Sequence, residues 1–228
     1  MNYKLNDFQN FALSKGIGTN KLDIYENKIV SPTIIEERRL NVATMDVFSA
    51  LIREKIIYLT GGIDEDTASV INAQLLYLNS ISDKSDTIKL FISSGGGSVI
   101  HGMSVYDCMN FVEPDVATYC IGMAASMASI LLSSGARGKR YALPNSTIMI
   151  HQVATSTGYV KNADLQIEAK ETQKWQNILY NILAENTGKT FEEIEKDADR
   201  DHWLMANESL PNVYGPYGLI DEIIGKKK

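Results

Sequence analysis

Short apolar runs alternate with amphipathic stretches along this chain from Asp46 onward. The apolar runs predict four buried strands, over residues 56–59, 88–92, 116–121 and 146–150. Apolar residues at helical spacing predict helices over residues 68–78, 99–111, 127–134 and 163–186. Because strand and helix alternate without a hairpin signal, the pattern predicts an α/β fold.

Local signals mark where these elements end. Gly188 is expected to end the long helix, and Gly135 to cap the helix over residues 127–134. Thr190 followed by Glu193 predicts a capping box that opens a further helix to about residue 198. Residues 1–31 are weakly patterned and are expected to form an arm or leader that is removed wholly or in part. One domain is expected over residues 32–225, followed by a basic tail at 226–228.

Composition excludes several classes of function. The 228 residues are 44% hydrophobic and 22% charged, which is ordinary for a soluble globular protein. A net charge of -6 gives no support for nucleic-acid binding. Cys108 and Cys120 are expected to be reduced core thiols, since a metal or redox site would need closer spacing or more ligands.

No stretch of the sequence is typical of a membrane span or a secretory signal. Residues 1–20 contain no continuous apolar segment of signal-peptide length. Residues 116–136 carry no charge, but they contain serines, a threonine and glycines that suit a buried strand and helix better than lipid. A cytoplasmic protein without a membrane partner is therefore expected.

One serine lies where a buried strand turns into a helix. Residues 122–129 are Gly-Met-Ala-Ala-Ser-Met-Ala-Ser, so Ser126 has only small neighbours and Met127. A tight turn at a helix N-terminus exposes a hydroxyl and favours nearby negative charge, as a nucleophile requires. The alternative is that Ser126 only caps a closely packed helix.

Three other features complete a candidate site. His151 follows the strand over residues 146–150, and α/β active sites collect at strand ends, although a lone histidine there is more often an ordinary surface or core residue. Asp201 precedes the apolar pair Trp203–Leu204 and is suited to orient an imidazole, although an acidic turn can simply be solvated. Residues 93–98, Ser-Ser-Gly-Gly-Gly-Ser, form an expected loop with uncovered N–H groups that suit an oxyanion. A nucleotide loop is disfavoured, since Walker and dinucleotide spacings are missing.

Several motifs, in order, resemble the proteolytic subunits of Clp proteases. Residues 122–127 are similar to the family's Gly-x-Ala-Ala-Ser-Met segment, and Asp197 with Arg200–Asp201 to its Asp-x-x-Arg-Asp segment. Residues 143–152 are similar to its Leu-Pro-Asn-Ser-x-x-Met-Ile-His-Gln segment. The resemblance covers residues 32–225. Gly95 and Val153 stand where the family usually has proline, and residues 211–216 look like an insertion.

The resemblance implies a role for each candidate residue. Ser126 would be the nucleophile, His151 the general base and then acid, and Asp201 the residue that orients the imidazole. The backbone N–H groups of Gly97 and Met127 would stabilise the oxyanion.

The resemblance also implies a fold and an assembly. The fold would be crotonase-like, stacked strand–helix units with a handle, a strand and long helix over residues 152–187. Two stacked heptameric rings would interlock through these handles, aided by an apolar stripe from Trp175 to Leu183, and Asp199 and Arg200 would pair across the rings. A Clp-type AAA+ ATPase would deliver unfolded proteins, docking near Phe91 and using the ATP. This chain would cleave peptides and need no cofactor or metal.

Two other functions remain open from sequence alone. A crotonase-like acyl-CoA enzyme would share the fold and the paired oxyanion donors, but its thioester turnover would not require Ser126. A non-catalytic ring subunit would recruit partners and would not react with a serine-directed fluorophosphonate.

Overall fold

The computed structural model describes residues 33–38, 41–155, 161–212 and 215–225. The expected arm over residues 1–31 and the basic tail therefore lie outside the described residues. The chain divides into two compact units, residues 1–50 and 51–228. In the first unit, β1 (Thr33–Arg38) pairs antiparallel with β2 (Asn41–Asp46). The sequence does not predict this hairpin, because no Gly, Asn or Asp of the kind that marks a two-residue turn stands between the two strands.

A seven-stranded sheet dominates the second unit. Its strands are β3 (Ile56–Ile63), β4 (Thr87–Gly97), β5 (Asp115–Ala125), β6 (Arg140–Ala142), β7 (Thr147–Ile150), β8 (His202–Met205) and β11 (Glu222–Ile223). The main path runs in the order β3, β4, β5, β6, β11, with parallel neighbours. A branch leaves β5, which pairs parallel with β7, and β7 pairs antiparallel with β8. Outside this sheet, β9 (Pro211–Asn212) and β10 (Gly215–Pro216) pair antiparallel with each other. The predicted α/β class is confirmed.

Helices connect the strands close to where the apolar periodicity placed them. The helices are α1 (Val47–Arg53), α2 (Glu65–Ile81), α3 (Val99–Phe111), α4 (Met127–Ser133), α5 (Asn162–Thr187) and α6 (Phe191–Asp197). Gly188 ends α5 in the left-handed conformation, with φ 78°. The capping box is present, since the Glu193 N–H donates to Thr190 Oγ1 at 3.2 Å and the Thr190 N–H to Glu193 Oε2 at 2.8 Å.

The core surrounds α4, all seven residues of which are buried. Inward positions of β3 and β4 alternate with more exposed ones, as a strand packed on one face requires. On α5, Leu179, Ile182 and Leu183 are buried in this same core. The expectation that this stripe is left free for another ring is therefore wrong, because the chain buries it itself. The exposed large hydrophobic residues of α5 are instead Leu165 and Ile167.

Two predictions about glycines are also wrong. Residues 93–97 do not form a loop, since β4 continues through Gly97, with irregular register to β5 between Ile92 and Ser94. Gly135 does not cap α4, because Ser134 holds that position with φ -90°. A Cβ at Gly135 would lie 2.4 Å from Thr118 Oγ1, so close packing explains this glycine.

Candidate active site

Ser126 lies in a strained turn between β5 and α4. Its φ of 56° and ψ of -127° are rare for a residue other than glycine and cost about 1–3 kcal/mol. Hydrogen bonds hold the turn on both sides: the Ser126 N–H donates to Met149 O at 2.9 Å, and Ser129 donates to Ser126 O through its N–H and its hydroxyl. The strain therefore persists because buried neighbours fix the backbone, as at other functional sites.

The parallel pairing of β5 with β7 brings His151 to this serine. Ala125 and Met149 are register partners, so the residues that follow them emerge at the same edge of the sheet. His151 Nε2 lies 2.8 Å from Ser126 Oγ. With its proton on Nδ1, the ring accepts a hydrogen bond from the hydroxyl, which is the arrangement a general base needs.

The antiparallel pairing of β7 with β8 places Asp201 on the other side of the ring. Ile150 and His202 are register partners, so His151 and Asp201 occupy the next facing positions. Asp201 Oδ1 lies 3.3 Å from His151 Nδ1. The Asp201 side chain is 63% exposed and that of His151 24%, so the carboxylate stands on the open side of the pair.

Sequence reasoning missed β8, the element that makes this contact. The sequence of residues 201–205 predicts a turn followed by apolar residues. The sequence carries no apolar–polar alternation here, because Trp203, Leu204 and Met205 are all apolar; only the structure shows that Leu204 is buried between the exposed Trp203 and Met205. A four-residue strand is short, and this one was obscured by the charged residues before it.

The glycine end of β4 lies directly against the serine turn. Gly96 has φ 92°, and a Cβ there would lie 2.7 Å from Ser126 Cβ and 3.0 Å from the Met127 nitrogen. Buried Ser94, which sequence reasoning did not single out, accepts from the Gly96 N–H at 3.0 Å and donates to Gly61 O at 2.6 Å. Ser94 thus fixes the backbone of this segment.

A cavity of about 190 Å³ opens beside these residues. Gly97, Ser126, Met127 and His151 all line it, and Met127 is the first residue of α4, whose N–H has no carbonyl of its own helix to bind. The remaining wall is largely apolar, formed by Val99, Ile130, Ile150, Val153, Ala154, Leu179, Tyr180 and Leu183, together with Ser129 and Gln152. The structure therefore gathers the predicted nucleophile, histidine and two backbone donors around one apolar recess.

Asp199 and Arg200 lie beside Asp201 on a second, wider cavity that His151 and Gln152 also line. The Gln152 amide donates to Asp199 O at 2.8 Å, which ties the segment after His151 to the turn that bears Asp201. Arg200 is 84% exposed, and among the described residues its ion pair is a 3.7 Å contact with Asp199. The guanidinium is thus available to another molecule.

Phe91 belongs to a row of aromatic side chains across four strands. It stacks on Tyr119 with ring centres 4.5 Å apart, and Tyr119 stacks on Tyr141 at 4.8 Å. Tyr58 is the register partner of Phe91 on β3. We call these four half-buried residues the aromatic row; the rings of Phe91, Tyr119 and Tyr141 stack on one another, and Tyr58 lies beside Phe91 on the neighbouring strand.

Neither cysteine competes with Ser126 as a nucleophile. Burial raises the pKa of the Cys108 thiol, and raises that of Cys120 to about 11, so both stay protonated at neutral pH. Within the described ranges, no three His, Cys, Asp or Glu side chains are grouped to hold a metal ion. In the same part of the chain, no helix is long and apolar enough to cross a membrane.

An α/β fold in which a serine hydroxyl contacts a histidine, and the histidine faces a carboxylate, defines a serine hydrolase. A sequence model of the family described as Clp protease matches residues 39–227. A protein of Porphyromonas gingivalis, named ATP-dependent Clp protease proteolytic subunit, is 47% identical over 98% of this chain and all of its own length. Proteins of the same name from Bacteroides fragilis and Bacteroides thetaiotaomicron are 44% and 43% identical over the same shares.

The chain belongs to the Clp protease family. It is a serine peptidase subunit of that family, and the likeness does not favour the acyl-CoA enzyme or the non-catalytic ring subunit.

Proposed function

We propose that this chain is the endopeptidase subunit of an ATP-dependent Clp protease, with Ser126, His151 and Asp201 as its catalytic triad. The 2.8 Å contact between Ser126 Oγ and His151 Nε2 carries this assignment, because it joins a strained serine to a base. The Asp201 carboxylate at 3.3 Å from Nδ1 supports it, since a carboxylate there holds the required tautomer.

Peptide cleavage follows from these positions. Ser126 Oγ attacks the scissile carbonyl carbon while His151 Nε2 takes the hydroxyl proton, and Asp201 stabilises the imidazolium that results. The carbonyl oxygen becomes an oxyanion, which accepts hydrogen bonds from the N–H groups of Gly97 and Met127. His151 then gives its proton to the departing amine. Water, deprotonated by His151, attacks the acyl-enzyme and releases the carboxylic acid and the free serine.

The cavity supports a preference for apolar side chains next to the scissile bond. A recess of about 190 Å³ with largely apolar walls accommodates a leucine, methionine or phenylalanine side chain. A carboxylate there would lose its hydration without gaining a charged partner. The backbone of the substrate would add as a strand between the glycine end of β4 and the residues after His151, with little further demand on sequence.

Self-assembly into two stacked heptameric rings is the second part of the proposal. The name shared by the relatives supports association with a Clp complex. Exposed Leu165 and Ile167, on the first half of α5, offer apolar contact to a handle of the opposite ring. Exposed Arg200 would pair with Asp199 of the opposite ring, beside the triad acid of each subunit. Peptidase activity would then depend on ring stacking.

Docking of a Clp-type AAA+ ATPase is the third part. The aromatic row is partly exposed on the sheet, and aromatic side chains are common anchors at protein interfaces. Phe91 at its centre would receive an apolar residue of the ATPase. The partner would bind and hydrolyse ATP, so this chain would need no cofactor, and the complex would work in the cytoplasm on peptides and unfolded proteins.

Hydrolysis of short fluorogenic peptides tests the catalytic assignment. Ser126→Ala, His151→Ala and Asp201→Ala should each abolish cleavage while the fold survives. Ser134→Ala is the matched control, because Ser134 lies at the other end of α4 and its hydroxyl donates to Ile130 O. Activity of more than a few per cent in Ser126→Ala would defeat the assignment, as would equal losses in both serine variants.

A further inference from the structure

The triad acid is held in place by its backbone and not by contacts of its own carboxylate. Among the described residues, the 3.3 Å contact with His151 is the only ion pair or hydrogen bond of that carboxylate. Asp201 lies near the end of residues 197–202, which we call the acid segment; it runs from the end of α6 to the start of β8. Whatever fixes the two ends of the acid segment therefore fixes the carboxylate.

Tyr217 contacts both ends of the acid segment. Its hydroxyl donates to Asp197 Oδ2 at 2.9 Å, at the first residue of the segment. Its ring lies against the ring of His202, at the last residue, with centres 5.3 Å apart. One side chain thus spans the turn that carries the acid and the proposed cross-ring arginine.

Tyr217 is itself rigidly placed. It is 3% exposed, and its N–H donates to Leu210 O at 3.1 Å. Lys189 Nζ lies 4.5 Å from the centre of its ring and 3.4 Å from Asp197 Oδ2, so the ammonium contacts both members of the hydrogen bond. Burial, the hydrogen bond to Asp197 and the Asp197 charge raise the pKa of Tyr217, which keeps the hydroxyl protonated as the donor.

We propose that Tyr217 is a positioning residue for catalysis, which holds Asp201 against His151 by bracing the acid segment at Asp197 and at His202. The inference rests on the proposed role of Asp201. Tyr217 touches neither substrate nor serine in this scheme. Its loss lets the exposed carboxylate move away from the imidazole, and misplacement of a catalytic group by about 1 Å can cost up to about 100-fold in rate.

The test is a double-mutant cycle on kcat and KM, measured with a short fluorogenic peptide. Tyr217→Phe removes the hydroxyl and keeps the ring, and should lower kcat about tenfold with KM unchanged. In an Asp201→Asn background the same change should have no further effect, because the acid that it positions is already lost. Tyr106→Phe, which removes a hydroxyl from a half-buried tyrosine on α3, should leave kcat unchanged.

A second pair of variants keeps the test decisive if Tyr217→Phe folds poorly. Asp197→Asn retains an acceptor for the tyrosine hydroxyl and should keep kcat within about twofold, whereas Asp197→Leu should lose as much as Tyr217→Phe. A wild-type kcat in Asp197→Leu or in Tyr217→Phe would overturn the inference. So would a fall in kcat on adding Tyr217→Phe to Asp201→Asn that is as large as its fall in the wild-type background. Full activity of Asp201→Asn alone would instead overturn the proposed triad.

Discussion

Adding one methyl group at Gly96 should inactivate the enzyme, because the backbone here lies against the Ser126 turn. A Cβ would lie 2.6 Å from Ala125 O and 2.7 Å from Ser126 Cβ, both shorter than any ordinary contact. Neither of these atoms is the far end of a flexible side chain, so the strand end or the serine turn must move. Alanine would also be strained at the observed φ of 92°.

The size of the effect follows from the free-energy costs of the backbone strain and of the steric overlap. Left-handed backbone costs alanine about 1–2 kcal/mol. Overpacking of a tight site costs about 1–3 kcal/mol more. Gly96→Ala should therefore lower the free energy of unfolding by about 2–5 kcal/mol and lower kcat by at least about 100-fold, since it displaces both the nucleophile and the oxyanion donors.

Gly95→Ala is the matched control. At Gly95 the nearest atom to an added Cβ is Met123 Cε at 3.6 Å, which is ordinary contact. This variant should keep its activity and gain a few tenths of a kcal/mol in the free energy of unfolding, from a less flexible unfolded chain. Urea unfolding and peptide hydrolysis measure both quantities. Gly96→Ala with wild-type kcat, or an equal loss in Gly95→Ala, would refute this account of the glycine segment.

Three further predictions concern assembly, docking and stability. Arg200→Ala should lower both peptidase activity and the fraction of double rings in sedimentation velocity, whereas Lys84→Ala, which removes another exposed cation far from the handle, should not; a fully active Arg200→Ala protein contradicts the coupling. Phe91→Ala should abolish ATPase-driven protein degradation and spare peptide cleavage, and loss of both would contradict docking at the aromatic row. Asp221→Asn should lower the free energy of unfolding by about 3 kcal/mol at neutral pH, because Arg140, 6% exposed, keeps an unpaired charge; a loss below about 1 kcal/mol would contradict this.

The loss of unfolding free energy that we predict for Asp221→Asn depends on pH. Burial raises the pKa of Asp221, but the hydrogen bonds and charge of Arg140 outweigh it and hold the pKa below its usual value. A lowered carboxyl pKa stabilises the fold above the unfolded-state pKa of about 4, and this contribution disappears as the pH falls through the folded-state pKa. The difference between wild type and Asp221→Asn should therefore narrow in acid, as measured by urea unfolding from pH 7 to pH 3.

Elements with strong periodicity were predictable from sequence. α3 begins and ends where its apolar spacing indicates, and α5 differs from its prediction by one residue at each end. Gly188 and the Thr190–Glu193 pair gave correct ends because their effect is local. Neither depends on what the rest of the chain does.

The features that the sequence did not predict depend on contacts between residues that are distant in the chain. β8 is a strand because β7 offers it an open edge, and only this pairing sets Asp201 opposite His151. Ser94 and Tyr217 matter through contacts with residues distant in the chain, Gly61 and Asp197 among them. The periodicity of α5 shows that the stripe with Leu179 and Leu183 is apolar, but it does not show which surface covers that stripe. The sequence therefore suggests a ring interface where the structure has the core of the chain itself.

Reaction with a fluorophosphonate, followed by intact-mass and peptide mass spectrometry, tests the central claim most directly. Ser126 Oγ should displace fluoride as His151 takes its proton, leaving one adduct per chain, on the peptide that contains Ser126. Ser126→Ala should remain unlabelled, His151→Ala should label far more slowly, and Ser134→Ala should label like wild type. An unlabelled wild type, or an adduct that persists in Ser126→Ala, would contradict the assignment of Ser126 as the nucleophile.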